Sequence, residues 1–232
     1  MNLKERYTQV LERLARAAEN AGRKAPDIHL IAVSKTHPVS LVDELAALGQ
    51  VDFGENRIAE LADKQATTAH ATINWHLIGQ LQTNKVKLLT ADVLLHTLDR
   101  ISLAEKLQSQ FSASGKKIRC LIQVNCSLEP NKSGVAPTEF DALCDSVAAM
   151  SAIQVMGLMT IAENSEDEKT VRGAFALLRQ LSEKAHSRGI FSDYEGILSM
   201  GMSGDFDLAI AEGATHVRIG SAIFGTRPSP VP

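Results

Sequence analysis

Cysteine is scarce in this chain of 232 residues, and Cys120, Cys126 and Cys144 form no Cys-x-x-Cys pair. An odd set of separate thiols argues against a disulfide framework and reads as reduced, mostly buried side chains of a cytoplasmic protein. No stretch approaches the ~20 apolar residues that a membrane-spanning helix needs. The opening Met1-Asn-Leu-Lys-Glu-Arg-Tyr7 has no apolar core of a secretory signal. Charge of one sign is missing too: 24 basic and 27 acidic side chains give a formal net charge of -3, with no Lys/Arg run. Neither nucleic acid nor an acidic membrane surface is therefore an expected partner. The histidines show no His-Glu-x-x-His or other paired ligand spacing, so no metal is expected.

Hydrophobic residues make up 44% of the chain, enough for one sizeable core. The first segment is amphipathic: Leu3, Tyr7, Val10, Leu11, Leu14, Ala18 and Ala21 recur at helical spacing, and Gly22 supplies a stop. Beyond it, short apolar runs alternate with helical patterns. Strands are expected near Ile28–Ser34, Val51–Gly54, Ile73–Ile78, Val93–His96, Ile118–Asn125, Ile153–Met159, Gly196–Met200 and Thr215–Ile219. Helices are expected over Val39–Leu48, Arg100–Phe111, Thr138–Met150, Glu168–Ser187 and Asp205–Ala211. Eight strands with crossover helices point to a parallel sheet, and eight is the number that closes a (β/α)8 TIM barrel. An open doubly wound sheet is the alternative, but its Gly-x-Gly-x-x-Gly turn after the first strand is absent. With no repeat, linker or low-complexity stretch, residues 1–232 are expected to form a single α/β barrel domain with an extra N-terminal helix. The proline-rich end, Arg227-Pro-Ser-Pro-Val-Pro232, is expected to be extended.

Active sites of such barrels lie at the C-terminal ends of strands. Lys35 follows the first strand and precedes Thr36-His-Pro38, with Pro38 suited to the first turn of a helix. A lysine partly desolvated at the barrel mouth loses its charge more readily and can attack an aldehyde. Position alone favours an ordinary surface lysine at a strand–helix junction. Two glycine-rich turns, Ser199-Met-Gly-Met-Ser-Gly-Asp205 and Arg218-Ile-Gly-Ser-Ala-Ile-Phe-Gly225, follow the seventh and eighth strands, where barrels of this class cradle phosphate. Glycine lets the backbone approach an anion, N–H groups at a helix start face it, and Ser203 and Ser221 add hydroxyl donors. The plainer alternative is a pair of tight turns. Other strand ends contribute Asn56, Arg57, His76, Asn125 and Met159-Thr160. Asn56 and Asn125 can donate to a ring hydroxyl, although capping a helix is the commoner role. His76 reads more simply as a hydrogen-bonded structural histidine.

The stretches Ala32-Val-Ser-Lys-Thr-His-Pro38, Phe53-Gly-Glu-Asn56, Trp75-His-Leu-Ile-Gly-Gln-Leu-Gln-Thr-Asn-Lys85, Lys132-Ser-Gly134, Gly157-Leu-Met-Thr160, Leu198-Ser-Met-Gly-Met-Ser203 and Val217-Arg-Ile-Gly-Ser-Ala-Ile-Phe-Gly225 span nearly the whole chain. Together and in this order they resemble the pyridoxal phosphate homeostasis protein family. The resemblance implies an alanine-racemase-like barrel of the fold type III pyridoxal-phosphate-binding class. It implies that Lys35 holds pyridoxal 5'-phosphate covalently as a Schiff base, the internal aldimine. It also implies that Ser203, Gly220 and Ser221 bind the phosphate, that Arg218 faces the pyridine nitrogen and that Asn56 lies near the ring. Met200, inside a matching stretch, joins the cofactor-binding set. Two departures are visible: Ala59 stands where the family often has glutamine, and Gly225-Thr-Arg-Pro228 lacks the frequent aromatic residue after the arginine.

A cofactor site is not yet an enzyme. Carbanion chemistry uses the protonated pyridine as an electron sink, which an acidic partner at the ring nitrogen favours. A permanently charged Arg218 disfavours that protonation, although related racemases tolerate it. A two-base racemase also needs an acid/base group on the face opposite the lysine, which a second, β-rich domain provides in alanine racemases. The segment after Gly220 is expected to be too short for such a domain. The expected function is a non-enzymatic carrier that buffers or delivers pyridoxal phosphate, maintaining vitamin B6 and amino- and keto-acid homeostasis. Pyridoxal-phosphate-dependent apoenzymes are its expected recipients, a monomer its expected state, and no residue is assigned as catalytic. The alternatives are a low-activity racemase using the same cofactor and a cofactor-free Schiff-base aldolase. Lys85 and Lys132 sit in matching motifs; binding an anion at the rim is the simpler role for each, a second, transient aldimine the other.

Overall fold

The eight apolar runs become eight parallel strands that close on themselves in sequence order. The computed structural model describes residues 1–129, 131–192 and 196–225. Its strands are β1 (His29–Val33), β2 (Asp52–Glu55), β3 (Asn74–Leu77), β4 (Leu94–Leu98), β5 (Ile118–Gln123), β6 (Ile153–Met159), β7 (Ile197–Ser199) and β8 (His216–Ile219). The ring closes where β1 pairs with β8, Leu30 opposite Val217 and Ile31 opposite Arg218. Closure rules out the open doubly wound sheet. Strands buried on both faces need continuous rather than alternating apolar runs, which is why these segments read so plainly.

The helices are α1 (Leu3–Asn20), α2 (Val39–Ala47), α3 (Ile58–Thr67), α4 (Ile101–Ala113), α5 (Phe140–Ala148), α6 (Glu168–Ser187), α7 (Phe206–Ala211) and α8 (Ser221–Phe224). Between β3 and β4 the crossover is a 3-10 segment, Thr83–Leu88, rather than an α-helix. Pro38 is the N-cap of α2, with an extended ψ of 156°, and so lies just before the first turn instead of inside it. The proline-rich end falls outside the described residues.

Helix α1 is additional to the barrel repeat. Asn2 and Glu5 form a reciprocal capping box at its start. Leu3, Tyr7, Val10, Leu14, Ala17 and Ala18 are buried, whereas Leu11, at the edge of the stripe, remains 40% exposed. Two arginines of α1, Arg6 and Arg13, reach the loops after β7 and β8. Arg6 Nε donates to Ile223 O (2.6 Å), Arg13 Nη1 donates to Ser203 O (3.0 Å), and the Arg13 guanidinium lies over the Phe206 ring. The first helix thus braces the last two strand–helix turns.

A buried ion pair holds the turn that carries Lys35. Lys64 Nζ, on α3, donates to Glu55 Oε1 (2.6 Å), to Glu60 Oε1 (3.0 Å) and to the carbonyl of Ser34 (2.8 Å). The Ser34 hydroxyl donates to Glu55 Oε1 (2.6 Å) and the Thr36 N–H to Glu60 Oε1 (2.6 Å). Both residues flanking Lys35 are therefore tied to the carboxylates around Lys64. Thr36 sits at φ 67°, a left-handed conformation unfavourable for a β-branched residue that its surroundings must impose. Burial pushes the Glu55 carboxyl up, against hydrogen bonds from Lys64 and Ser34 and the charge of Lys64. Such a pair adds little net stability but is costly to break. Lys64→Met should lower unfolding free energy by about 3–5 kcal/mol at neutral pH, read by urea denaturation, with Glu55→Gln added to it restoring most of the loss. Alone in Lys64→Met, Glu55 has a raised folded-state pKa, so the deficit should shrink toward acid and grow as pH rises through that value. A Lys64→Met protein as stable as the parent would contradict this role.

Candidate functional site

At the C-terminal ends of the strands a cavity of about 310 Å3 opens beside the β1–β8 seam. Lys35 and His37 enter it from the turn after β1, Asn56 from the end of β2, and Arg218 from β8 itself. Met202, Ser203 and Gly204 line it after β7, and Gly220 and Ser221 line it at the start of α8. Six of the seven residues singled out as cofactor-binding in the sequence thus meet around one space: Lys35, Asn56, Ser203, Arg218, Gly220 and Ser221. Met200 does not line it. Its side chain is fully buried below, and its N–H is bonded to His216 O (3.1 Å). Gly201, at φ 93°, turns the chain between them, so that Met202 takes the cavity position.

Close backbone approach shapes the walls. A Cβ on Gly79 would lie 2.1 Å from Asn56 O, so only glycine lets the end of β3 press against Asn56. A Cβ on Gly220 would stand 3.1 Å from Val33 O across the seam. The hydroxyls of Ser203 and Ser221 converge to 3.5 Å, and N–H groups in the first turn of a helix have no intrahelical acceptor. His37 is held by stacking on Phe224, ring centroids 5.2 Å apart.

Arg218 is 4% exposed. Its Nη1 donates to Ser199 Oγ (2.7 Å) and its Nη2 to Thr160 O (2.8 Å). Burial pulls its pKa down to about 10, which leaves it cationic at neutral pH. Among the described residues no carboxylate is hydrogen-bonded to it. Ser199 is not singled out in the sequence, and Thr160 only as one of several strand-end residues; both fall inside the matching stretches, and their partner lies on another strand.

The remaining candidates lie elsewhere. Asn125 Nδ2 donates to Glu129 O (2.8 Å) and its Oδ1 accepts from Ser127 (3.0 Å), which shapes the loop after β5. Asn56 caps no helix: α3 starts behind Arg57 without a side-chain cap. His76 is buried, hydrogen-bonded to His96 and Asp52. Lys85 is exposed on the 3-10 segment, and Lys132 is ion-paired with Glu129 and donates to Ala162 O (3.3 Å); neither lines the cavity. The three cysteines are buried, and burial pushes their thiols up, Cys126 and Cys144 to about 12, so they stay protonated. No helix among the described residues is long and apolar enough to cross a membrane.

An ammonium, a buried guanidinium and two hydroxyls around one cavity suit a small anion with an electrophilic carbon. Comparison with known proteins narrows this. Residues 10–228 match the family model of the alanine racemase N-terminal domain. The pyridoxal phosphate homeostasis protein of Pseudomonas aeruginosa is 40% identical over 224 residues, covering 96% of this chain and 95% of its own. PipY of Synechococcus elongatus, solved with PLP bound, has a TM-score of 0.80 and 34% identity, covering 91% of this chain and 100% of its own. The alanine racemase of Corynebacterium glutamicum, at 18% identity and a TM-score of 0.70 over 96% of this chain and 62% of its own, shares the fold alone. The chain belongs to the alanine racemase N-terminal domain family, among the pyridoxal phosphate homeostasis proteins.

Proposed function

We propose that this chain is a non-enzymatic carrier of pyridoxal 5'-phosphate, which it binds in the cavity beside the β1–β8 seam and releases to pyridoxal-phosphate-dependent apoenzymes in the cytoplasm. The observation that carries the reading is the convergence of Lys35, Arg218, Ser203 and Ser221 on one cavity of about 310 Å3. That is the size and donor set an anionic aromatic aldehyde needs. The name of the Pseudomonas relative and the PLP bound to PipY support it.

When bound, pyridoxal phosphate supplies an aldehyde for covalent attachment and a pyridine ring that can store electrons. Lys35 Nζ is the nucleophile for that aldehyde. The Ser203 and Ser221 hydroxyls and the backbone N–H groups beside them bind the phosphate. Asn56 and Arg218, which line the same cavity, would hold the ring, with Arg218 on the side of its nitrogen. Arg218 also argues for holding over catalysis. Its fixed positive charge, with no carboxylate hydrogen-bonded to it among the described residues, opposes protonation of that nitrogen and weakens electron storage. In this reading residues 1–232 act as one domain and as a monomer.

The full-length protein should take up pyridoxal phosphate with a near-visible absorption that Lys35→Ala loses; a protein that takes up none would overturn the reading. Loaded protein should racemise free amino acids no faster than pyridoxal phosphate in solution and should reactivate an apoenzyme. Turnover well above the solution rate would make it a racemase instead. Ser203→Ala and Ser221→Ala should each weaken retention about tenfold, the scale of one hydrogen bond to a charged group, as equilibrium dialysis would show.

A further inference from the structure

The interior of a (β/α)8 barrel is filled mainly by branched apolar side chains. Here a file of polar groups, each from a different strand, runs through it from the mouth toward the floor. Arg218 Nη1 donates to Ser199 Oγ, and Ser199 Oγ lies 3.0 Å from His96 Nδ1. His96 Nε2 lies 3.0 Å from His76 Nδ1, and His76 Nε2 lies 3.1 Å from Asp52 Oδ1 at the start of β2. Ser199 and His96 are fully buried, whereas Asp52 keeps 13% of its side chain in solvent.

Proton counting gives these contacts a direction. Burial, then positive charge on His76, Arg218 and His216, holds His96 well below the ordinary imidazole value, so it is neutral and carries one N–H. Burial pushes the Asp52 carboxyl up, but hydrogen bonds from His76 and Asn74 and the charge of His76 outweigh it, so Asp52 is an anion. With the His96 hydrogen on Nε2, His96 donates to His76 and accepts from the Ser199 hydroxyl. His76 then donates from Nε2 to Asp52, and every hydrogen meets a lone pair. With the hydrogen on Nδ1, His96 Nε2 must accept from His76 Nδ1. A neutral His76 would then turn the bare lone pair of Nε2 on a carboxylate, and only an imidazolium satisfies both neighbours. The direction of the chain is therefore set by whether His76 is protonated.

We propose that Ser199 and His96 are positioning residues for Arg218, forming with His76 and Asp52 a one-way hydrogen-bond chain from the cavity to the barrel floor that reverses when His76 takes a proton. In the forward state Ser199 gives its hydrogen to His96, which strengthens its oxygen as an acceptor for Arg218. In the reversed state that oxygen faces two donors, Arg218 and His96, and holds the guanidinium less firmly. The charged and titratable groups facing His76 are Asp52 on β2, His96 on β4 and His216 on β8. The His216 ring lies 6.4 Å from that of His76 and stacks on His29 of β1 at 4.6 Å. Burial, then the neighbouring charges, hold His216 down at about 3, so it is neutral near neutral pH. What the chain does for the cofactor rests on the cavity being the pyridoxal phosphate site; the chain itself does not.

Long-range 1H–15N spectra of the full-length protein without cofactor test this directly. At about pH 8, where an ordinary imidazole is neutral, His96 should carry its hydrogen on Nε2. As His76 is titrated with acid, the hydrogen should move to Nδ1. Ser199→Ala should uncouple the two histidines and Ser199→Thr, which keeps the hydroxyl, should preserve the coupling. Retention of pyridoxal phosphate should fall about tenfold in Ser199→Ala and not in Ser199→Thr. A hydrogen on Nδ1 at the higher pH, or a His96 tautomer indifferent to the titration of His76, would overturn the proposal even if Ser199→Ala fails to fold. An intact tautomer switch in a protein that takes up no cofactor would overturn the cavity reading alone.

Discussion

Everything at the barrel mouth depends on the seam where β1 meets β8. Pairing of Ile31 with Arg218 and Ala32 with Ile219 brings the start and the end of the chain into register. Lys35 and Ser221, far apart in sequence, then line the same cavity. The seam is tight as well as closed, because Gly220 presses on the backbone of Val33 where a side chain would crowd it. Closing such a long loop has an entropic cost that rises only slowly with its length, and the contacts of α1 add to the closure. Arg6 and Arg13, near the N-terminus, grip the carbonyls of Ile223 and Ser203.

Around this seam the protein spends buried charge on position rather than on stability. Lys64 with Glu55 and Glu60 fixes the backbone on both sides of Lys35, Glu60 accepting from Thr36 in its unfavourable conformation. Arg218 is held in a second buried network by Ser199 and Thr160. One network sets Lys35, the proposed nucleophile, and the other sets Arg218, the cation proposed to face the ring. Both leave the mouth of the barrel to the ligand, in keeping with the proposed carrier role.

Much of the fold was legible because strands covered on both faces are written as short, largely apolar runs, and the structure starts and ends most of them within a residue or two of expectation. Helix α3 and the 3-10 crossover at Thr83–Leu88 were not. In α3 the buried positions include Lys64, so its apolar stripe is interrupted by the charge that matters most to the site. Glycine-rich turns after the last strands were visible as loops, but the depth of Met200 was not, since a single left-handed Gly201 decides which methionine faces the cavity. The roles of Glu55, Ser199 and His96 could not be read from spacing, because their partners are on other strands or helices and distance along the chain carries no signal of contact. Motif membership was the one cue, marking Glu55 and Ser199 without saying what they touch.

The central claim is that Lys35, held at the closing seam, is the point of covalent attachment for pyridoxal phosphate. Borohydride reduction of the loaded full-length protein followed by peptide mass mapping tests it most directly. The account predicts one reduced cofactor on the peptide containing Lys35, absent from Lys35→Ala. A cofactor fixed chiefly on Lys85, Lys132 or any other lysine, with Lys35 unmodified, would contradict it.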